Sequence, residues 1–183
     1  MKKGILMLLT VFALSFSAKA QNGEINWMTL DEAIAAQAKN PKKIMMDAYT
    51  DWCGPCKMLD KNTFQNPDVV KYVNENYYAV KFNAEGNEEI EYKGQVLTNP
   101  GFVQGQTGRN SQHQLAQAFQ ITAYPTIVFI DEKGDPIVPL PGYKNPQQLE
   151  LYLKLFLDNG HEKITTQEQW DKYQKEFKFE FQG

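Results

Sequence analysis

The feature that most narrows the fold of this 183-residue chain is the junction at residues 44–57. Ile44-Met45-Met46-Asp47-Ala48-Tyr49 runs there, through Thr50 and Asp51, into Trp52-Cys53-Gly54-Pro55-Cys56-Lys57. A short, bounded apolar run reads as a buried strand, although Asp47 interrupts it. Pro55 suits the first turn of a helix, where its missing N–H costs nothing. The junction therefore reads as a strand emptying into a helix start. A sheet with helices packed on it is the architecture that such a junction favours.

The remaining elements agree. Thr29-Leu30-Asp31-Glu32 is a capping box, and the helix that it opens ends at Asn40-Pro41. The helix after the cysteines is expected to run through Phe64. Asn66-Pro67-Asp68 restarts it with a cap, a proline at the first helical position and an acid in the first turn. Val69, Val70, Val73 and Tyr77 form the apolar face of that second helix. Tyr77–Phe82 and Thr126–Ile130 read as strands, Lys133-Gly134-Asp135 as a turn and Ile137–Leu140 as a shorter strand. Gln112–Phe119 reads as a helix. A last main helix behind Asn145-Pro146 should turn Leu149, Tyr152, Leu153, Phe156 and Leu157 inward, and stop at Asn159-Gly160. Strands alternating with helices argue an α/β domain with a central sheet.

The first residues carry a different message. Lys2 and Lys3, the apolar stretch Ile5–Phe16 and Ala18-Lys19-Ala20 have the order of a signal peptide, cut after Ala20. The apolar run is shorter than the ~20 residues of a spanning helix, so export to the periplasm without stable membrane insertion is expected. Cleavage removes three lysines and no acid, which moves the formal net charge from −3 to −6. An acidic protein of this kind has no electrostatic reason to bind nucleic acid.

The chain has two cysteines and two histidines. Cys53 and Cys56 could form a structural clip, half a metal site or a reversible redox pair. A ring this small constrains little of the unfolded chain, so the clip stabilises weakly. A closed zinc site needs four ligands, and neither His113 nor His161 is paired with the cysteines in sequence. Redox chemistry has a mechanism: the free N–H groups and partial positive charge of a helix start stabilise a thiolate, the attacking species. Cys53 is thus expected to ionise readily and act as nucleophile. Cys56, one turn deeper and less exposed, resolves the mixed disulfide.

Asp47, the run Trp52-Cys53-Gly54-Pro55-Cys56-Lys57, Lys81, Tyr124-Pro125-Thr126 and Gly142 stand in the order of the thioredoxin family, which the chain resembles over roughly residues 27–158. The stretch TFQNPDVV from Thr63 is also similar to the C-terminal periplasmic domain of the membrane disulfide-interchange reductase. The resemblance implies a thioredoxin fold, a central mixed sheet flanked by helices. Behind the signal peptide of residues 1–20, it implies a thioredoxin-like domain over 21–160, with an insertion at about 84–111, and leaves 161–183 as a C-terminal helical extension packed on the domain. It makes Asp47 the buried acid, with a raised pKa, that exchanges a proton with Cys56. Lys81 becomes its neighbouring lysine and Trp52 a cover for the disulfide, with Gly54, Pro55 and Lys57 in support. A proline before a buried strand would be trans on sequence grounds alone; the resemblance implies a cis bond at Tyr124–Pro125, facing substrate. Tyr124 departs from the smaller aliphatic residue common at this place.

The chain also departs in length, since 42 residues separate Asn83 from Pro125. The extra portion, about 84–111, leaves room for a hairpin through Tyr92-Lys93-Gly94-Gln95; it reads either as solvated decoration or as a partner-selecting loop. Trp170, Tyr173 and Phe177 stand at helical spacing behind Thr165-Thr166 and are expected to pack back on the domain. The implied activity is reduction of protein disulfides by a monomer, with a membrane electron transporter as donor and no bound cofactor. A narrower cytochrome c maturation client and a non-enzymatic partner-binding module are the alternatives.

Overall fold

Thr29 opens the first helix with a capping box: its hydroxyl accepts the Glu32 N–H at 3.2 Å, and the Glu32 carboxylate accepts the Thr29 N–H at 2.8 Å. The computed structural model describes residues 23–183, so the expected signal peptide lies outside the described residues. In chain order the elements are β1 (Trp27–Met28), α1 (Leu30–Gln37), β2 (Ile44–Tyr49), α2 (Gly54–Asn62), α3 (Pro67–Asn76), β3 (Tyr78–Asn83), β4 (Ile90–Tyr92) and β5 (Gln95–Leu97). They continue as α4 (Gln114–Ala118), β6 (Thr126–Ile130), β7 (Pro136–Pro141), α5 (Pro146–Leu157), a 3₁₀ turn (Gly160–Lys163) and α6 (Gln167–Glu176). None of these helices is long and apolar enough to cross a membrane.

Five strands form one mixed sheet in the order β1-β3-β2-β6-β7. β1, β3 and β2 are parallel, whereas β6 and β7 run antiparallel to their neighbours. Side chains alternate across the sheet. Ile44, Met46, Ala48, Val128 and Ile130 join Leu30 and Ala33 of α1 and Leu115 and Ala116 of α4 in one core layer. Met45, Ile127 and Phe129 join Leu59 of α2, Val69, Val70 and Val73 of α3, and Leu149, Leu153 and Phe156 of α5 in the other. Asp47, two residues on from Met45, therefore faces the layer that holds α2.

The insertion is anchored rather than loosely solvated. Lys93 and Gly94 hold positive φ of 51° and 75°, the pairing that a two-residue primed hairpin turn demands between β4 and β5. Ile90 enters the α1 layer, and the Tyr92 hydroxyl donates to the Gly134 carbonyl at 2.7 Å. His113 closes the segment as a buried N-cap of α4: its Nδ1 accepts the Leu115 N–H at 3.0 Å. The proton must then sit on Nε2, which donates to the Glu88 carbonyl at 2.8 Å.

The end of the chain departs from the expected pattern. Leu151 and Leu155 of α5 are buried along with Leu149, Leu153 and Phe156, while Tyr152 and Leu157 are only half-buried. A second layer explains this. Trp170 of α6 stacks on Tyr152 with ring centroids 5.7 Å apart, and the Tyr173 hydroxyl donates to the Leu151 carbonyl. Phe181 then enters the core beside Tyr72, at 5.6 Å. Glu150, fully buried on α5, accepts the N–H groups of Glu180 and Phe181 and pairs with Lys154 at 2.7 Å.

Candidate active site

Cys53 is the N-cap of α2, and its Sγ accepts the Cys56 N–H at 3.1 Å. The chain arrives there from β2 through a turn in which the Cys53 N–H donates to the Thr50 carbonyl. Gly54 and Pro55 form the exposed first turn, with Lys57 exposed just beyond. Cys53 and Cys56 are joined as a disulfide. The expectation that Cys53 is the more open thiol is not met: the two residues are 1% and 2% exposed. The Cys53 sulfur is turned down onto the first helical turn, onto the Cys56 N–H and Sγ, rather than outward.

Behind the disulfide lies a charged cluster. Asp47 and Lys81 are direct register partners on β2 and β3, with Lys81 Nζ 2.6 Å from Asp47 Oδ2. The same ammonium also binds Asp60 of α2 and lies over the rings of Trp27, Tyr49 and Phe64 at 4.9–5.3 Å. Burial pushes the Asp47 carboxyl up to about 6, against the opposing pull of Lys81. Its Oδ1 is buried without a hydrogen-bond partner, leaving an acceptor free in the core. Burial alone would discharge Lys81, but the two carboxylates outweigh it and its pKa is raised.

Trp52, at the mouth, is held from three sides. Its Nε1 donates to Glu85 at 2.7 Å, Tyr124 meets it edge-on at 6.0 Å, and the Arg109 guanidinium lies 4.6 Å from its ring centre. The Tyr124–Pro125 bond is cis, Pro125 is buried, and its carbonyl accepts the Gly142 N–H at 2.7 Å. The structure thus brings Asp47, Lys81, Trp52, Cys53, Cys56, Tyr124 and Pro125 to one end of the sheet. Lys57 makes no ion pair with a described residue. Sequence reasoning misses Asp60, Glu85, Arg109 and Asn110. Asp60 carries a faint signal, being four residues past Cys56 and so on the same side of the helix. No group of His, Cys, Asp and Glu that could hold a metal ion occurs among the described residues.

A disulfide whose first sulfur caps a helix, over the sheet face that carries a buried, partly unpartnered carboxylate, makes a dithiol–disulfide site. Residues 30–157 match the family model described as a thioredoxin-like domain, and the chain belongs to that family of thiol–disulfide oxidoreductases. It is homologous to the thiol:disulfide interchange protein DsbD of Pectobacterium atrosepticum, 28% identical over 146 residues, 79% of this chain and 20% of that protein. DsbD of Vibrio vulnificus is 30% identical over 131 residues, 66% of this chain and 18% of that protein. The chain therefore spans about a fifth of the length of these curated relatives. A thioredoxin-fold protein from Helicobacter pylori superposes with a TM-score of 0.55 at 20% identity, covering 74% of this chain and 82% of that one. A thioredoxin from Thermus thermophilus gives 0.55 at 16% identity, covering 79% and 98%. Both share the fold.

Proposed function

We propose that this protein reduces disulfides of other proteins in the periplasm, cycling Cys53 and Cys56 between dithiol and disulfide. The observation that carries this reading is the Cys53 sulfur acting as acceptor for the first turn of a nine-residue helix. Once reduced, that sulfur is stabilised as thiolate by the same N–H and by the helix dipole. It attacks one sulfur of a substrate disulfide, and the substrate's other sulfur leaves as a thiolate that takes up a proton. Asp47 accepts the proton of Cys56, whose thiolate attacks the Cys53 sulfur and breaks the mixed disulfide; the second substrate sulfur leaves as a thiolate and takes up a proton, while Asp47 gives its own back. The substrate departs with two electrons and two protons, and the protein is left as the Cys53–Cys56 disulfide, the state seen here.

The pair must then be reduced again by a dithiol donor. The relation to DsbD supports a membrane electron transporter in that role, and the expected signal peptide supports the periplasm. Tyr124 and Pro125, beside Trp52, offer the extended backbone on which a substrate segment lies.

The test is a trap. Cys56→Ala should accumulate mixed disulfides through Cys53 with periplasmic proteins, while Cys53→Ala should accumulate none. Accumulation only in the Cys53→Ala variant would reverse the two roles. Absence of trapping in both, with no catalysed insulin reduction by the reduced wild-type protein, would remove the reductase reading.

A further inference from the structure

Arg109 is the only arginine of the chain, and the insertion carries it to the redox site. The loop that holds it is braced. Asn110 bonds Val103 in both directions, its Oδ1 accepting the Val103 N–H at 3.0 Å and its Nδ2 donating to the Val103 carbonyl at 2.9 Å. The Asn110 N–H donates at 2.7 Å to the same Glu85 oxygen that accepts the Trp52 indole N–H. The Gln106 side chain holds the Arg109 carbonyl. Arg109 is thus fixed between a pinned backbone and the indole face, its guanidinium 4.6 Å from the ring centre.

A guanidinium held over a ring by its charge uses none of its N–H donors on the indole and keeps them for another acceptor. Those donors are unused here: the Arg109 side chain forms no salt bridge with a described carboxylate and donates to no described residue. Glu85, which holds the indole by its N–H, is engaged by Trp52 and Asn110. A cleft of about 270 Å³ opens on the same loop, between Asp51, Trp52, Glu85, Glu88 and Asn110. Its three carboxylates repel an anion. Arg109, between the lining residues Gly108 and Asn110 but outside the cleft, puts a positive charge on this loop that attracts an acidic group.

We propose that Arg109 is a specificity-determining residue, receiving on its free guanidinium edge a carboxylate that flanks the disulfide of the protein being reduced. The proposal rests on the reductase reading and deepens it by naming the substrate class: disulfides with an acidic neighbour. The bidentate fork fits a planar carboxylate, and the Trp52 stack holds it in place before substrate arrives.

The test uses two synthetic peptides with the same internal disulfide, one flanked by glutamates and one by lysines, mixed with the reduced full chain in single-turnover exchange. At low ionic strength the acidic peptide should react about tenfold faster, the worth of one charge-assisted contact, and added salt should shrink the ratio. Arg109→Ala should bring the two rates together, Arg109→Glu should reverse their order, and Arg109→Lys should restore part of the preference. An Arg109→Glu protein that keeps the wild-type order, or a wild type with no preference, overturns the proposal while leaving the reductase reading intact. Exchange with neither peptide overturns that reading, and this one with it.

Discussion

Asp47 and Lys81 face each other across β2 and β3, in register and 2.6 Å apart, and that contact is shared with Asp60. Lys81 is thus not the private counter-ion of the buried acid. One ammonium serves two carboxylates, inside a ring of Trp27, Tyr49 and Phe64. Because Asp47 is almost wholly buried, burial outweighs its half-share of the lysine and its carboxyl titrates near 6. A group in that range can take a proton from a thiol and give it back at neutral pH.

The first prediction is a cost in stability. The folded value of Asp47 is raised to about 6 from 3.8, so with respect to this group stability is highest below about pH 4. It falls as pH rises and is fully lost once pH passes about 6, by up to about 3 kcal/mol. Asp47→Asn should therefore stabilise the oxidised protein in urea unfolding at pH 7.5 and change it little at pH 4. Destabilisation at pH 7.5 would mean that the ion pair outweighs burial.

Asp60 should tune its neighbour. Its negative charge raises the Asp47 pKa, and it competes for Lys81. Asp60→Asn removes both effects and should lower the Asp47 midpoint in a carboxyl-carbon NMR titration. Lys81→Met should move that midpoint the other way. Shifts of the same sign in the two variants would contradict the shared-ammonium account.

Glu150 should hold the tail. Its carboxylate is fully buried and accepts two backbone N–H groups of residues 180 and 181. Glu150→Ala leaves those two N–H groups without their acceptor and Lys154 with Glu180 as its remaining partner, and should cost about 2–4 kcal/mol in equilibrium unfolding. Early proteolysis of the last six residues should accompany it, with disulfide exchange at Cys53 unchanged. An unaltered unfolding midpoint would show that the tail is an ornament.

Much of the fold is legible in the amino-acid sequence. The capping box at Thr29, the strand-to-helix junction and the apolar faces are local patterns, and local patterns survive into the fold. The thiol pair can be read because Pro55 and the preceding strand place Cys53 at a helix start. What stays hidden depends on long-range placement. Asp60 looks like any solvated residue of α2 until β3 brings Lys81 beneath it. Arg109 lies in a polar segment with no periodicity, and long-range bonds such as Asn110–Glu85 deliver it to Trp52. Glu150 leaves a signal that periodicity alone misses: an acid flanked by Leu149 and Leu151 on a helix apolar on more than one side. Such a helix is covered twice, and its charge needs a partner inside.

The central claim is that this pair donates electrons. Asp47 bears on it directly, because a buried carboxylate on the face of β2 that packs against α2 disfavours a second anion at Cys56 and so disfavours the reduced form. The most direct measurement is a glutathione redox titration of the Cys53–Cys56 pair, read by mass after quenching with acid. The account predicts a potential near that of thioredoxin, about −270 mV, with Asp47→Asn less reducing than wild type. Each 30 mV corresponds to roughly 1.4 kcal/mol for this two-electron couple, so the alternatives separate well. A wild-type value near about −120 mV, that of a strong periplasmic oxidant, would contradict the account and make this protein a disulfide donor.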